Sequence, residues 1–313
     1  MKKILITPRG FSKYGLDIIE CMKNEGFEVH YNDTGVAYTS EEFLSFAKDA
    51  DGIIVGVEKI DSDLIDKCPK LKAIVKFGVG TDNIDLEYAK KKGIFVGKTL
   101  GSNSKAVAEM TMALILADAR NLVSEVLDVK NGNWNKETGI ELTDQTLGLI
   151  GFGTIGKYIA KFASAFDMKV IVYDVMPIDN TVADEYHVKV CNFEEVLMLS
   201  DVISLHIPLN ETTRNMISEK EFKKMKKTAT LINTARGGIV VEEDLKKALE
   251  NGDIRSAAFD VYSKEPPEYA DTLIQMKNFI LTPHIASRTS KAERNTCVIS
   301  SRLIVNALKE DIV

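Results

Sequence analysis

Residues 147–156 read Leu-Gly-Leu-Ile-Gly-Phe-Gly-Thr-Ile-Gly, and no other stretch of the chain restricts its fold so tightly. The apolar run 146–150 reads as a strand, and 155–166 carries apolar positions at helical spacing, so Gly151, Gly153 and Gly156 occupy a strand-to-helix turn. Each glycine answers a separate steric demand. Gly151 permits the tight turn, Gly153 lets a pyrophosphate approach the backbone, and Gly156 lets helix and strand pack closely. Free amides at the helix start then face the phosphates. The next strand, 169–173, ends at Asp174, roughly 20 residues past the last glycine, where a carboxylate accepts from a ribose diol. Its charge repels a 2′-phosphate and Val175, Met176 and Pro177 supply no arginine, so the pattern predicts NAD rather than NADP.

The chain around this motif alternates short apolar runs with helical patterns. Residues 3–7, 28–31, 52–57, 71–77 and 93–96 read as strands, with helices between them such as 16–24 and 40–49. A second series follows the fingerprint, at 188–190, 202–206, 229–233, 257–261 and 279–282, with a helix at 243–250 and a last one at 290–308. Strand then helix, repeated, implies parallel sheets covered on both faces, because parallel neighbours need a crossover. Between the two series lies one long helical stretch, 106–129, with Val107, Met110, Leu114, Ala117 and Asn121 on or near one stripe. It is almost wholly apolar from Met110 to Ala117, which predicts burial against more than one neighbour.

Composition removes several function classes. The 40 Lys and Arg stand against 46 Asp and Glu, a net charge of −6, with no dense basic run, so a nucleic-acid partner is disfavoured. Lys2 to Thr7 is too short for a signal peptide before Pro8 and Gly10, and no apolar stretch approaches the roughly 20 residues of a membrane span. Cys21, Cys68, Cys191 and Cys297 form no CxxC pair and have no histidine at ligand spacing, which predicts free thiols, a reducing cytoplasm and no bound metal.

Three chemically useful residues stand at or just past strand ends: Arg236 in Asn233-Thr234-Ala235-Arg236-Gly237-Gly238, Glu265 in Tyr262-Ser263-Lys264-Glu265-Pro266, and His284 in Thr282-Pro283-His284-Ile285-Ala286-Ser287. In an open parallel sheet such positions line the ligand crevice. Singly, each also fits a surface ion pair or a loop charge. Together they offer a cation, a carboxylate and an imidazole. His30, His187 and His206 read from the residues alone as packing or surface side chains, and Trp134 as filling a core or subunit contact, with an aromatic ligand stack as the alternative.

These segments, with the glycine fingerprint and Phe77-Gly78-Val79-Gly80-Thr81-Asp82-Asn83-Ile84-Asp85, resemble the D-isomer-specific 2-hydroxyacid dehydrogenase family, which includes phosphoglycerate dehydrogenases. The resemblance implies an α/β chain of two doubly wound parallel-sheet domains. A Rossmann cofactor domain, 101–287, is inserted into a flavodoxin-like substrate domain, 1–100 and 288–313, and a cleft between them takes the substrate. It further implies a homodimer built partly on the helix near 106–129. Positions matching those that line the nucleotide are Asn103, Thr154, Ile155, His206, Pro208, Thr213, Thr234, Ala235, Asp260, Ala286 and Ser287. The backbone amides of Gly78, Val79 and Gly80 match a loop that grips the substrate carboxylate.

The implied reaction explains the three strand-end residues. Oxidising a 2-hydroxy acid removes a hydride from C2 and a proton from the hydroxyl, and reduction is the reverse. An imidazole such as His284 suits the proton because it titrates near neutrality. Glu265 orients that ring, and the Arg236 fork holds the carboxylate and polarises the C2 oxygen. The expected substrate is a small 2-hydroxy or 2-oxo acid, with 3-phosphoglycerate ahead of hydroxypyruvate or glyoxylate. Two departures stand out: phosphoglycerate-specific members commonly carry arginine where this chain reads Gly56-Val57-Glu58-Lys59, and Lys98-Thr99-Leu100-Gly101 lacks the proline often found there. A sensor that binds NAD(H) without turnover is the alternative on the same fold.

Overall fold

The structure, a computed structural model, describes residues 1–268 and 270–309. Its first half runs β1 (Lys3–Ile6), α1 (Gly10–Tyr14), α2 (Leu16–Asn24), β2 (Glu28–Tyr31), α3 (Ser40–Ala47), β3 (Gly52–Val55), α4 (Ser62–Asp66), β4 (Ala73–Lys76), α5 (Leu86–Lys91), β5 (Phe95–Lys98), α6 (Ser104–Ala119) and α7 (Leu122–Lys130). There follow β6 (Thr146–Ile150), α8 (Thr154–Ser164), β7 (Lys169–Tyr173), α9 (Asn180–Glu185), β8 (Val188–Val190), α10 (Phe193–Leu199) and β9 (Val202–Leu205). The chain continues through α11 (Glu219–Phe222), β10 (Thr230–Asn233), α12 (Glu242–Asn251), β11 (Ser256–Phe259), β12 (Phe279–Leu281) and α13 (Ser290–Lys309). These elements form two compact units, one of Met1–Asn103 with the segment from Arg288, the other of Ser104–Ser287.

The first unit holds a parallel sheet in the order β2-β1-β3-β4-β5. Successive side chains of a strand point to opposite faces, and the sequence meets that period with apolar residues on both. Ile4, Ile6, Ile54 and Val75 pack with Phe11, Ile19, Met22 and Ile304 on one side. Leu5, Ile53, Val55 and Ile74 pack with Phe43, Leu64, Ile84 and Ala89 on the other. Burying each large aliphatic side chain contributes about 1.5–3 kcal/mol. Gly52 fits α13 directly onto β3, since a Cβ there would stand 2.9 Å from the terminal methyls of Ile304 and Leu308.

The second unit holds a seven-stranded parallel sheet, β12-β11-β10-β9-β6-β7-β8. Leu147, Leu149, Val172 and Ile232 face Met112 and Ile115 of α6 and Ile159 and Ala163 of α8. Ile150, Ile203, Leu205, Leu231 and Phe259 face Val196, Leu197, Leu245 and Leu249 on the other side. The strand order reverses at β6, which lies between β7 and β9, so the crevice at the carboxyl ends of β6 and β9 is the place where such sheets bind ligands.

Three expectations are corrected. The helical stretch 106–129 is two helices, because Asn121 adopts φ 50°, a left-handed conformation that asparagine tolerates and that ends the α6 direction. Strand β5 begins at Phe95 and runs to Lys98, since Gly93 at φ 69° makes the turn out of α5. Trp134 is 77% exposed, which removes the core half of its expectation and leaves the subunit contact as its reading. Helix α7 buries none of its residues and presents Leu122, Val123, Val126, Leu127 and Val129 at its surface. Among the described residues no helix is long and apolar enough to cross a membrane. All four cysteines are free, Cys21 exposed and the rest buried.

Candidate active site

The fingerprint glycines occupy the turn from β6 into α8, and the structure distinguishes their tasks. Gly151 has φ 101°, and a Cβ on it would stand 2.4 Å from the His206 carbonyl oxygen, so both its conformation and its neighbour demand glycine. Gly156 is as confined: its Cβ would meet the Gly151 oxygen at 2.6 Å. Gly153 differs. Its φ of −75° suits any residue and a Cβ there would meet nothing within 4 Å. The protein's own packing therefore gives no reason for that glycine, whereas a pyrophosphate lying on the N-terminus of α8 does. No side chain caps this helix, which leaves the amides of its first turn, including Thr154 and Ile155, to an anion.

Asp174 stands at the end of β7 and ties down the same loop. Its Oδ2 accepts from the Phe152 amide at 2.7 Å and its Oδ1 from the Met176 amide at 2.9 Å. A carboxylate has about four acceptor sites, so a ribose diol still finds lone pairs there. Across the strand reversal, His206 follows β9. Its Nε2 pairs with the Ser204 hydroxyl at 2.8 Å, while its Nδ1 is buried without a partner among the described residues. Burial pushes this imidazole down to about 3, so it is neutral at physiological pH. The following loop holds itself: the Thr213 hydroxyl donates to the Pro208 carbonyl at 2.6 Å and accepts from the Asn210 amide at 2.8 Å. These residues fit a dinucleotide: a glycine whose missing side chain faces open space, an uncapped helix end, and a carboxylate at ribose distance in sequence.

Beyond β10 the chain turns sharply to present Arg236. The turn is built by Asn233, 1% exposed, whose Oδ1 accepts from the Ala235 amide at 3.0 Å and whose Nδ2 donates to the Arg236 carbonyl at 2.9 Å. Thr234 is buried and shares a hydrogen bond of 2.9 Å with Thr111 of α6. Gly237 brings this turn against the loop after β11, since a Cβ on it would fall 2.1 Å from the Tyr262 carbonyl oxygen. That loop carries Glu265, whose Oε1 accepts from the Tyr262 amide at 3.0 Å.

Glu265 Oε2 lies 2.8 Å from Nδ1 of His284. An ionised carboxylate only accepts, so Nδ1 carries the hydrogen and Nε2 presents its lone pair. Among the described residues Nε2 has no partner, and the His284 side chain is 46% exposed. His284 has φ 54°, a strained conformation for a histidine, in a loop held by Asp260. Asp260 is 1% exposed and spends both oxygens on that loop: Oδ1 accepts from the Ile285 amide at 2.9 Å and from the Thr282 hydroxyl, and Oδ2 from the Ala286 amide at 2.7 Å. Ala286 is buried and Ser287 closes the second unit. The strand-end loops thus give an oriented imidazole in contact with a carboxylate, and an arginine on an adjoining turn. Asn233 and Gly237 escaped the sequence reading, because Asn-Thr-Ala-Arg-Gly-Gly is also the composition of an ordinary turn.

In the first unit, Gly78 at φ 142° opens the loop after β4. Its amide donates to the Thr99 hydroxyl at 2.9 Å, and its carbonyl accepts from the Thr99 amide at 3.0 Å. The amides of Val79 and Gly80 have no partner among the described residues, so these two remain for an anion. Asn103 ends that unit's first segment.

Known proteins carry the same pattern. Residues 112–286 match the family model described as D-isomer specific 2-hydroxyacid dehydrogenase, NAD binding domain. The chain is 40% identical, over all of its length, to a D-3-phosphoglycerate dehydrogenase of Methanocaldococcus jannaschii, of which it spans 58%. It is 36% identical to a hydroxypyruvate reductase of Thermotoga maritima, covering 96% of this chain and 99% of that one. Among solved structures, a D-lactate dehydrogenase from Aquifex aeolicus, complexed with NAD and lactic acid, superposes with a TM-score of 0.84 at 31% identity, covering 99% of this chain and 96% of that one. On these matches the chain belongs to the D-isomer specific 2-hydroxyacid dehydrogenase family, and residues 112–286 are its NAD-binding domain.

Proposed function

We propose that the protein is an NAD-dependent oxidoreductase interconverting a small D-2-hydroxy acid and its 2-oxo acid. The observation that carries this reading is the 2.8 Å contact of Glu265 with His284, which leaves Nε2 as an open proton site. Bound nicotinamide supplies or accepts the hydride at C2. In reduction His284 gives its Nε2 proton to the oxygen at C2, and in oxidation Nε2 removes it, a contribution of about 10²- to 10⁴-fold. Glu265 keeps the ring in the one orientation and tautomer that serve this transfer and steadies the imidazolium. Arg236 holds the substrate carboxylate through its guanidinium fork, and the amides of Val79 and Gly80 are further anion donors of the first unit.

On the same reading the first unit is the substrate domain and the second the cofactor domain. Thr154, Ile155, Gly153 and the α8 amides take the pyrophosphate, and Asp174 takes the adenosine ribose. His206, Pro208, Thr213, Thr234, Ala235, Asp260, Ala286, Ser287 and Asn103 complete the cofactor's surroundings. Relatives named for 3-phosphoglycerate and for hydroxypyruvate keep both as candidate acids, differing in the group on C3. Glyoxylate is a third candidate, since a Thermofilum pendens relative is named glyoxylate reductase. The test is a panel of glyoxylate, hydroxypyruvate, pyruvate and phosphohydroxypyruvate with NADH and NADPH, followed at the nicotinamide absorbance. Turnover of at least one acid with NADH is expected; none with any acid rejects the enzyme and favours a dinucleotide sensor.

We also propose a homodimer in the cytoplasm. The dimer is supported by α7, whose five exposed aliphatic residues form the kind of contiguous apolar surface that monomers seldom leave to water. Light scattering should give twice the chain mass, and Leu127→Glu should halve it. The four free thiols support a reducing compartment.

A further inference from the structure

Strands β4 and β5 pair Lys76 with Lys98, so Thr99, the first residue past β5, comes alongside Phe77 and Gly78. Thr99 is fully buried, and both its backbone and its side chain close on Gly78. The Gly78 carbonyl accepts from the Thr99 amide at 3.0 Å and from the Thr99 hydroxyl at 3.1 Å. The Gly78 amide donates to that hydroxyl at 2.9 Å and is shared with the Lys76 carbonyl, also at 2.9 Å. A hydroxyl has two acceptor lone pairs and one hydrogen. The Gly78 amide fills one lone pair and the Ser102 hydroxyl, at 3.4 Å, the other, so the single hydrogen belongs to the Gly78 carbonyl. Ser102 is 5% exposed and accepts in turn from the Thr296 hydroxyl of α13 at 2.9 Å. The 3.4 Å bond is long, so most of the restraint lies in Thr99 itself.

The direction of that carbonyl fixes the direction of an amide. In a planar trans peptide C=O and N–H point opposite ways, and the Gly78 carbonyl shares its peptide with the Val79 amide. Two donors from Thr99 draw the carbonyl toward the end of β5, so the Val79 amide faces the other way, where it has no partner among the described residues. Gly78 makes this grip necessary. At φ 142° it carries no side chain to resist rotation of the following peptide, and such a rotation turns the Val79 N–H inward and sets a carbonyl oxygen in its place. An amide there donates to a carboxylate, whereas a carbonyl oxygen repels one.

We propose that Thr99 is a positioning residue whose hydroxyl holds the Gly78-Val79 peptide in the one orientation that receives the substrate's carboxylate. This rests on the oxidoreductase reading above, in which the loop after β4 is an anion donor. The experiment measures KM and kcat for glyoxylate and hydroxypyruvate with NADH in the wild type, Thr99→Val, Thr99→Ala and Thr99→Ser. Calorimetry adds the affinity of the NADH-loaded protein for oxamate, a carboxylate that mimics a 2-oxo acid without reacting. Valine deletes the hydroxyl and keeps the shape, alanine deletes it without adding a buried methyl, serine retains it, and thermal melting checks that each variant folds. Thr99→Val and Thr99→Ala should raise KM about 5- to 10-fold for both acids and weaken oxamate by a similar factor, the loss falling on KM rather than on kcat. The factor should be common to both acids, because the carboxylate is the group they share. Thr99→Ser should stay within about 2-fold of the wild type, and NADH affinity should not move in any variant. Unchanged KM and oxamate affinity in the valine and alanine variants overturn this proposal and leave the oxidoreductase standing, as does a loss that the serine variant shares or one that falls on kcat alone. Absence of turnover in the wild type with every acid of the panel above overturns both.

Discussion

Glu265 Oε2 stands 2.8 Å from His284 Nδ1, and the same carboxylate's Oε1 is anchored on the Tyr262 amide at 3.0 Å. One side chain therefore couples the loop after β11 to the loop after β12 and fixes which imidazole nitrogen faces outward.

That coupling predicts two separable losses. His284→Gln should lower turnover of the preferred oxo acid by about 10²- to 10⁴-fold by removing the proton carrier. Glu265→Gln should cost about 10- to 100-fold, since an amide still reaches the ring but no longer steadies its charged form. NADH affinity, read by fluorescence titration, should change little in Glu265→Gln; a large loss of NADH binding there would mean that the carboxylate supports the cofactor rather than the proton transfer.

The glycines should respond differently to the same substitution. Gly153→Ala places a methyl in open space at an ordinary φ, so its stability should stay within about 0.5 kcal/mol of wild type while NADH binding weakens about 10-fold or more. Gly151→Ala meets both a φ of 101° and the His206 carbonyl, and should destabilise the fold by about 1–3 kcal/mol or more. Denaturant melts set beside NADH titrations separate the two, and equal melts for both variants would reject this division of labour.

Asp174→Ser removes the charge that opposes a 2′-phosphate. The ratio of kcat/KM with NADH to that with NADPH should fall about 10- to 100-fold, at some loss of stability because the Phe152 and Met176 amides lose their acceptor. An unchanged ratio would show that selectivity lies elsewhere.

His206 gives a pH prediction. Burial holds its folded-state value at about 3, below the ordinary 6.5, so the unfolded chain binds the proton more readily. The contribution to stability is fully present above about 6.5 and is lost as pH falls from there toward 3. Between pH 7.5 and pH 5 the wild type should lose about 1–2 kcal/mol more than His206→Gln, measured by urea unfolding at the two values. Parallel losses would mean that His206 titrates normally.

Much of this architecture is local in origin. β2, β6, β7, β8 and α2 have the bounds their sequence pattern predicts, because strand and helix periods are written in which residues are apolar. The fingerprint was legible for a similar reason: a φ of 101° at Gly151 and the close approach at Gly156 admit no side chain, so the chain must show glycine there. Asp174, Arg236, Glu265 and His284 were legible as residue types standing at strand ends. The break at Asn121 was not, since every residue around it is an acceptable helix former and the reversal lies in one backbone angle.

The sequence alone determined two parallel α/β folds, a dinucleotide turn and a short set of ionisable strand-end residues, because hydrophobic period and glycine sterics act between near neighbours. Only the tertiary structure decided which polar groups meet. Asn233 builds the Arg236 turn, Asp260 clamps the His284 loop across 26 residues, and Thr99 closes on Gly78 across 21. Such pairs are fixed by strand order and register, which bring distant residues within hydrogen-bond reach through packing that no local pattern encodes.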